Sequence, residues 1–98
     1  MRLTDHEIAA IKEAACEAFG ASTVVRLFGS RVDPAKRGGD IDLHLEVEPG
    51  RHTDGAVHRF EDVLFRHIDE QRVDMIFSTR GRPPGPFEQI GYRDGIVL

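Results

Sequence analysis

Hydrophobic and polar residues recur with two different periods along this chain, and the changes of period mark its elements. Ile8, Ile11, Ala15, Ala18 and Phe19 fall on one stripe near the 3.6-residue repeat of an amphipathic helix. Thr4 and Glu7 stand at capping-box spacing ahead of it, and Gly20 supplies a stop. The β-branched run "STVVRLF" predicts a strand over about 23–28, ended sharply by Gly29-Ser30. "RVDPAKRGG" reads as a loop or one short helix. In "DIDLHLEV" the period drops to two: Ile41, Leu43, Leu45 and Val47 point one way, and Asp40, Asp42, His44 and Glu46 the other. "EPGRHTDG" is turn-rich. "AVHRFEDVLFRHIDEQ" predicts a second long helix, with Val57, Phe60, Leu64 and Ile68 on its buried side and Val63 and Phe65 widening the stripe. "RVDMIFS" predicts a third strand, "TRGRPPGP" breaks any regular element, and "FEQIGYRDGIVL" predicts a short helix ending near Gly95.

Ninety-eight residues without a repeat or linker imply a single domain spanning 1–98. The expected order is α-β-α-β-α-β-α, with the second α standing for the loop or short helix. This is an α/β (α+β) fold, a small mixed β-sheet packed with helices. A hydrophobic fraction of 40% is enough for one core, and the two long periodic segments argue against disorder. No run approaches the roughly 20 apolar residues of a membrane span, and the N-terminus has no apolar signal region. The single Cys16 excludes an internal disulfide. It is expected as a small buried hydrophobe, which suits a reducing cytoplasm. A net charge of −4 argues against broad nucleic-acid binding, although Arg31, Lys36 and Arg37 could make a local basic site.

The polar face of the second strand carries the chemistry. Asp40 and Asp42, two residues apart on a strand, put their Cα atoms roughly 6.5–7 Å apart on one side. Two bare carboxylates at that distance repel by roughly 2–3 kcal/mol at an effective dielectric of about 20. They are tolerable when fully solvated or when a cation sits between them. Hard divalent ions, Mg²⁺ above all, take oxygen ligands and keep positions open for phosphate and water. Gly29 allows close backbone approach to a phosphate. A helical turn starting near Ser30 would add free N–H groups and a hydroxyl. Asp74 is a third strand acid. If the second and third strands are neighbours, it can reach the same site, either to orient or deprotonate an attacking hydroxyl or to ligate a second metal of a two-metal clamp about 3.5–4 Å apart.

"LFGSR…GGDIDL" resembles the G-S-(variable)-D-x-D signature of the polymerase-beta-like nucleotidyltransferases, and within them the minimal nucleotidyltransferases. The likeness covers the leading helix, the strand ending in Phe28-Gly29-Ser30-Arg31, the Asp40-x-Asp42 strand, the crossover helix, the "VDMIF" strand and the tail. The chain departs from many relatives in carrying Gly39 directly before the first Asp, and Asp33-Pro34 in the loop. The resemblance implies Asp40, Asp42 and Asp74 as catalytic carboxylates and Mg²⁺ ligands. It implies Gly29, Ser30 and Arg31 at the phosphates of a nucleoside triphosphate, with ATP the expected donor. The implied reaction transfers a nucleoside monophosphate to a hydroxyl and releases pyrophosphate. Minimal members commonly act as antitoxins beside a HEPN-type toxin, and some adenylylate a tyrosine of that partner.

Other readings accompany this one. Arg31 could pair with a phosphate or with a nearby carboxylate. Lys36 and Arg37 are expected to be solvated, His44 packed or solvated, and Tyr92 packed under the last helix. His6, His52, His58 and His67 lack zinc-ligand spacing. The chain could instead be a non-catalytic antitoxin or binding module that neutralises its partner by complex formation. A transferase for a small molecule would need an acceptor pocket supplied by a homo-oligomer or another small subunit.

Overall fold

The structure, a computed structural model, describes residues 3–29 and 40–98. The expected short helix or loop between the first two strands, with Ser30, Arg31, Lys36, Arg37 and Gly39, lies outside the described residues.

Helix α1 spans Asp5–Phe19. Thr4 Oγ1 accepts from the Glu7 backbone N–H at 3.1 Å, and Glu7 Oε1 accepts from the Thr4 N–H at 3.0 Å. This reciprocal cap satisfies two donors that the first turn would otherwise leave unpaired. The helix buries Ala10, Ile11, Ala14, Ala15 and Phe19, whereas Ile8 and Ala18 are only half-buried. Cys16 is exposed, contrary to the sequence expectation. With Ala15 and Phe19 turned to the core, position 16 falls on the solvent side with Lys12, Glu13 and Glu17.

Strands β1 (Val24–Phe28), β2 (Ile41–Val47) and β3 (Val73–Thr79) follow the period-two segments. Helix α2 (Asp54–Leu64) starts and stops earlier than its apolar pattern suggests. Thr53 caps it through the Ala56 N–H at 3.1 Å. Beyond Leu64 the backbone tightens, with Arg66 N–H on Val63 O and His67 N–H on Leu64 O, so residues 65–67 form turns and 69–71 have no regular structure. Helix α3 (Pro86–Asp94) opens with proline at its first position, where no N–H is required.

A further strand, β4 (Ile96–Val97), follows the last helix and was not foreseen. Two residues are too few to show a period. Gly95 permits the return: a Cβ there would lie 2.4 Å from Gly91 O and 2.8 Å from Arg26 Cβ.

The sheet order is β3-β2-β1-β4. β1 pairs antiparallel with β2 and β4, while β2 and β3, joined through α2, run parallel. Ile41, Leu43, Leu45 and Val47 are fully buried in one core with α1, α2, Val25 and Leu27. Phe19 joins the layers, 5.8 Å from the Phe60 ring and edge-on to Phe77 at 5.2 Å. Helix α3 contacts β1, β2 and β3. It lies on the opposite face, where Gly91 and Tyr92 meet His44. Among the described residues the sheet is therefore covered unevenly, with α3 over His44 and the side chains of Asp40 and Asp42 partly exposed. No helix among the described residues is long and apolar enough to cross a membrane.

Candidate active site

The register of the two parallel strands decides which side chains meet. Asp42 pairs with Asp74, and Ile41 with Val73. Register partners in a parallel pair project to the same side, so Asp42 and Asp74 stand side by side. Asp40, one residue before β2, lies beside Arg72, whose carbonyl accepts the Ile41 N–H at 3.2 Å. The four positions form a grid with three acidic corners and one basic corner. Arg72 Nε lies 3.2 Å from Asp74 Oδ1 and 3.5 Å from Asp40 Oδ2.

Asp42 responds to this crowding. Burial first, then the Asp74 carboxylate and the Asp40 carboxylate, push its pKa above the ordinary 3.8, and Arg72 offsets part of the rise. Arg72 is itself held more firmly protonated, by its hydrogen bond to Asp74 and the surrounding negative charge. Among the described residues, the corner sets three carboxylates against one guanidinium.

Gly29 closes β1 directly against this corner. Its φ of +76° is one that side chains rarely adopt. A Cβ added there would stand 2.2 Å from Asp42 Oδ2. The backbone conformation favours glycine here, and a methyl group would have to displace the Asp42 carboxylate, so the result is main chain laid against that carboxylate. Ser30 and Arg31, which follow it in sequence, lie outside the described residues.

Farther along β2, His44 is fully buried. Its Nε2 lies 2.7 Å from Ser78 Oγ, and its ring meets Tyr92 edge-on at 4.6 Å. A Cβ on Gly91 would come within 2.5 Å of His44 Cγ, so α3 seats closely on this ring. Burial, then the Arg26 charge, hold His44 below its ordinary range and keep it neutral. His44 is thus a packing residue. Tyr92 also packs, with Arg26 over its ring at 4.7 Å, although it stays partly exposed.

Among the described residues, no group of three or more His, Cys, Asp or Glu side chains is drawn together tightly enough to hold a metal ion as it stands. Arg72 spans Asp40 and Asp74 instead. The donor set nevertheless fits a hard divalent cation. It comprises oxygen-only ligands on one face, a carboxylate whose ionisation is resisted by its neighbours, and a glycine cradle that a Cβ would fill. Asp40, Asp42 and Asp74 are the residues that would hold it. Two surface pockets of about 320 and 290 Å³ lie elsewhere, lined by residues such as His6 and His67 or His58 and Arg66, and by none of the three acids.

Sequence reasoning passed over Arg72 as a site residue. Its signal was its place two residues before Asp74 on the same strand face, the same spacing that singled out Asp40 and Asp42. Compared with known proteins, the chain matches no protein-family model and no curated protein sequence.

Proposed function

We propose that this chain is a Mg²⁺-dependent nucleotidyltransferase that moves a nucleoside monophosphate, AMP from ATP, onto a hydroxyl group. The observation that carries the reading is the in-register pair Asp42–Asp74, with Gly29 main chain pressed against Asp42 and Asp40 on the same face. Bound Mg²⁺ would supply positive charge against the phosphates and the leaving pyrophosphate. Asp40, Asp42 and Asp74 would hold that charge. Asp74 orients the acceptor hydroxyl and takes its proton as the hydroxyl oxygen bonds to the α-phosphorus and the bond to pyrophosphate breaks. Gly29 lets main chain approach the phosphates without a side chain in the way. Ser30 and Arg31, adjoining it in sequence, are the further phosphate contacts this reading assigns.

The acceptor this reading assigns is a hydroxyl on a partner protein in the cytoplasm. A HEPN-type toxin is the partner implied by the resemblance to minimal nucleotidyltransferases. Incubation of the protein and a genomic neighbour's product with α-labelled ATP and Mg²⁺ should label the partner and release pyrophosphate. The Asp42→Asn variant should do neither. Labelling that persists undiminished in Asp42→Asn overturns the assignment.

A second reading, a binding module that neutralises its partner by complex formation, is favoured by one observation. Phe87 and Val97 are 73% and 60% exposed, and Ile90 and Ile96 are also in contact with solvent. Exposed apolar residues of this size on α3 and β4 suit a protein surface. Inhibition that survives Asp40→Ala, with no mass added to the partner, would select this reading over the catalytic one.

A further inference from the structure

We propose that Arg72 is a tethered counter-ion that competes with the divalent cation for the carboxylates, so that the metal is taken up poorly as a free ion and well together with a nucleotide. The inference rests on reading Asp40, Asp42 and Asp74 as a metal site, and goes beyond it by assigning a role to a residue outside that trio.

The geometry is specific. Arg72 has its backbone fixed by the bond from Ile41 N–H to its carbonyl. Its guanidinium reaches both Asp74 and Asp40, at 3.2 and 3.5 Å, and so bridges acids on two strands. Its charge also offsets part of the negative field on Asp42, which stands beside Asp74 in register. The side chain is 73% exposed, so no packing holds it in place and it can leave without opening the core. Surface ion pairs of this kind contribute little net stability, because desolvation is slight and solvent competes for both partners. A dication carries twice the charge and no chain entropy to lose, and can displace the guanidinium. The triphosphate then offers the freed Arg72 a new set of anionic oxygens, to which arginine bonds with two parallel donors. Metal and nucleotide therefore favour each other's binding, because each removes a cost that the other would meet alone.

The test measures Mn²⁺ binding by calorimetry and by the paramagnetic signal of the free ion, without nucleotide and then with a non-hydrolysable triphosphate. Removal of one unit charge a few ångströms from a dication in a water-like dielectric changes its affinity roughly tenfold. Arg72→Gln should thus bind free Mn²⁺ about tenfold more tightly than the wild type, and nucleotide should improve that binding less. Arg72→Lys, which keeps the charge, should stay within about threefold of the wild type. A residue with a merely structural role would give weaker binding when lost, so the sign of the change is diagnostic. Unchanged or weaker Mn²⁺ binding in Arg72→Gln overturns the role of Arg72 while leaving the metal site intact, provided that wild-type binding is lost in Asp42→Asn. Absence of Asp42-dependent Mn²⁺ binding in every variant, with and without nucleotide, overturns both.

Discussion

One face of β2 carries acid at both of its ends, and the two ends are finished differently. At the far end, Glu46 accepts from Arg26 Nη1 and from Arg80 Nε, each at 3.0 Å. Arg80 also bonds Glu48 through Nη1 and the Ser22 carbonyl through Nη2. Two acids thus meet two arginines. At the near end, among the described residues, three acids meet one arginine, Arg72. The pKa directions diverge accordingly. Burial works to raise Glu46, but the hydrogen bonds from Arg26 and then Arg80 outweigh it and hold the carboxyl below its ordinary 4.5. Burial also raises Asp42, and there the neighbouring charges add to the rise. His44, neutral and buried, separates the two ends. Partial burial of an acid therefore does not mark a site by itself. The mark is burial combined with crowding by other carboxylates.

The sharpest way to break this contrast is to remove one acid from each end. Asp42→Asn should lower Mg²⁺-dependent label transfer by at least about a hundredfold, the scale on which loss of metal-borne charge acts. Its metal-free urea midpoint should be the same as that of the wild type or higher. Glu46→Gln should behave in the opposite way. It leaves Arg26 and part of Arg80 facing a partly buried neutral group and should cost about 2–3 kcal/mol of unfolding free energy. Transfer per folded molecule should be unchanged. If Glu46→Gln instead abolished transfer without loss of stability, the division into an open end and a closed end would fail.

How much of this was legible in the sequence follows the same division. The period-two alternation of "DIDLHLEV" placed the acids on one face and the aliphatics in the core, and both hold. The capping box at Thr4 and Glu7 likewise states its own geometry. The sequence could not state the register that sets Asp42 beside Asp74, because pairing between strands separated by a helix is a tertiary matter. Nor could it state that Arg80, beyond the third strand, returns to Glu46 and Glu48. Cys16 was misjudged because the alanines beside it could line more than one helical stripe, and the packing of Phe19 chose among them. Strand β4 was hidden because its two residues pair only after Gly95 turns the chain onto β1. Local pattern determines faces; it does not determine which faces meet.

A smaller effect should come from Gly29, which touches the open end only. Gly29→Ala meets both an unfavourable φ and the Asp42 carboxylate, and should cost about 1–2 kcal/mol. Because Asp42 must turn aside to admit the methyl group, transfer should fall by more than the stability loss explains. That excess can be read from the specific activity of the folded fraction. Gly91→Ala is the matching change over His44, and should lower stability with no such excess.

The smallest effect, and the one that separates the ends by sign, is the dependence of stability on pH in the absence of divalent ions. Asp42 binds its proton more tightly when folded than when unfolded. Its contribution is therefore favourable below the ordinary 3.8 and is lost as pH rises through the raised folded value. Glu46 is the reverse: its contribution is complete above the ordinary 4.5 and is lost as pH falls through the depressed folded value. Urea unfolding between about pH 3 and pH 7 should thus show two difference curves of opposite sign. Wild type should be slightly less stable than Asp42→Asn at neutral pH and should converge on it as pH falls toward 3.8. It should be clearly more stable than Glu46→Gln at neutral pH, with the margin shrinking below 4.5. Addition of Mg²⁺ together with a non-hydrolysable triphosphate at neutral pH should raise the wild-type midpoint without moving that of Asp42→Asn, because only the Asp42 end sets three acids against one arginine among the described residues. A Mg²⁺ response of equal size in the two proteins would show that the open corner is an ordinary solvated strand face.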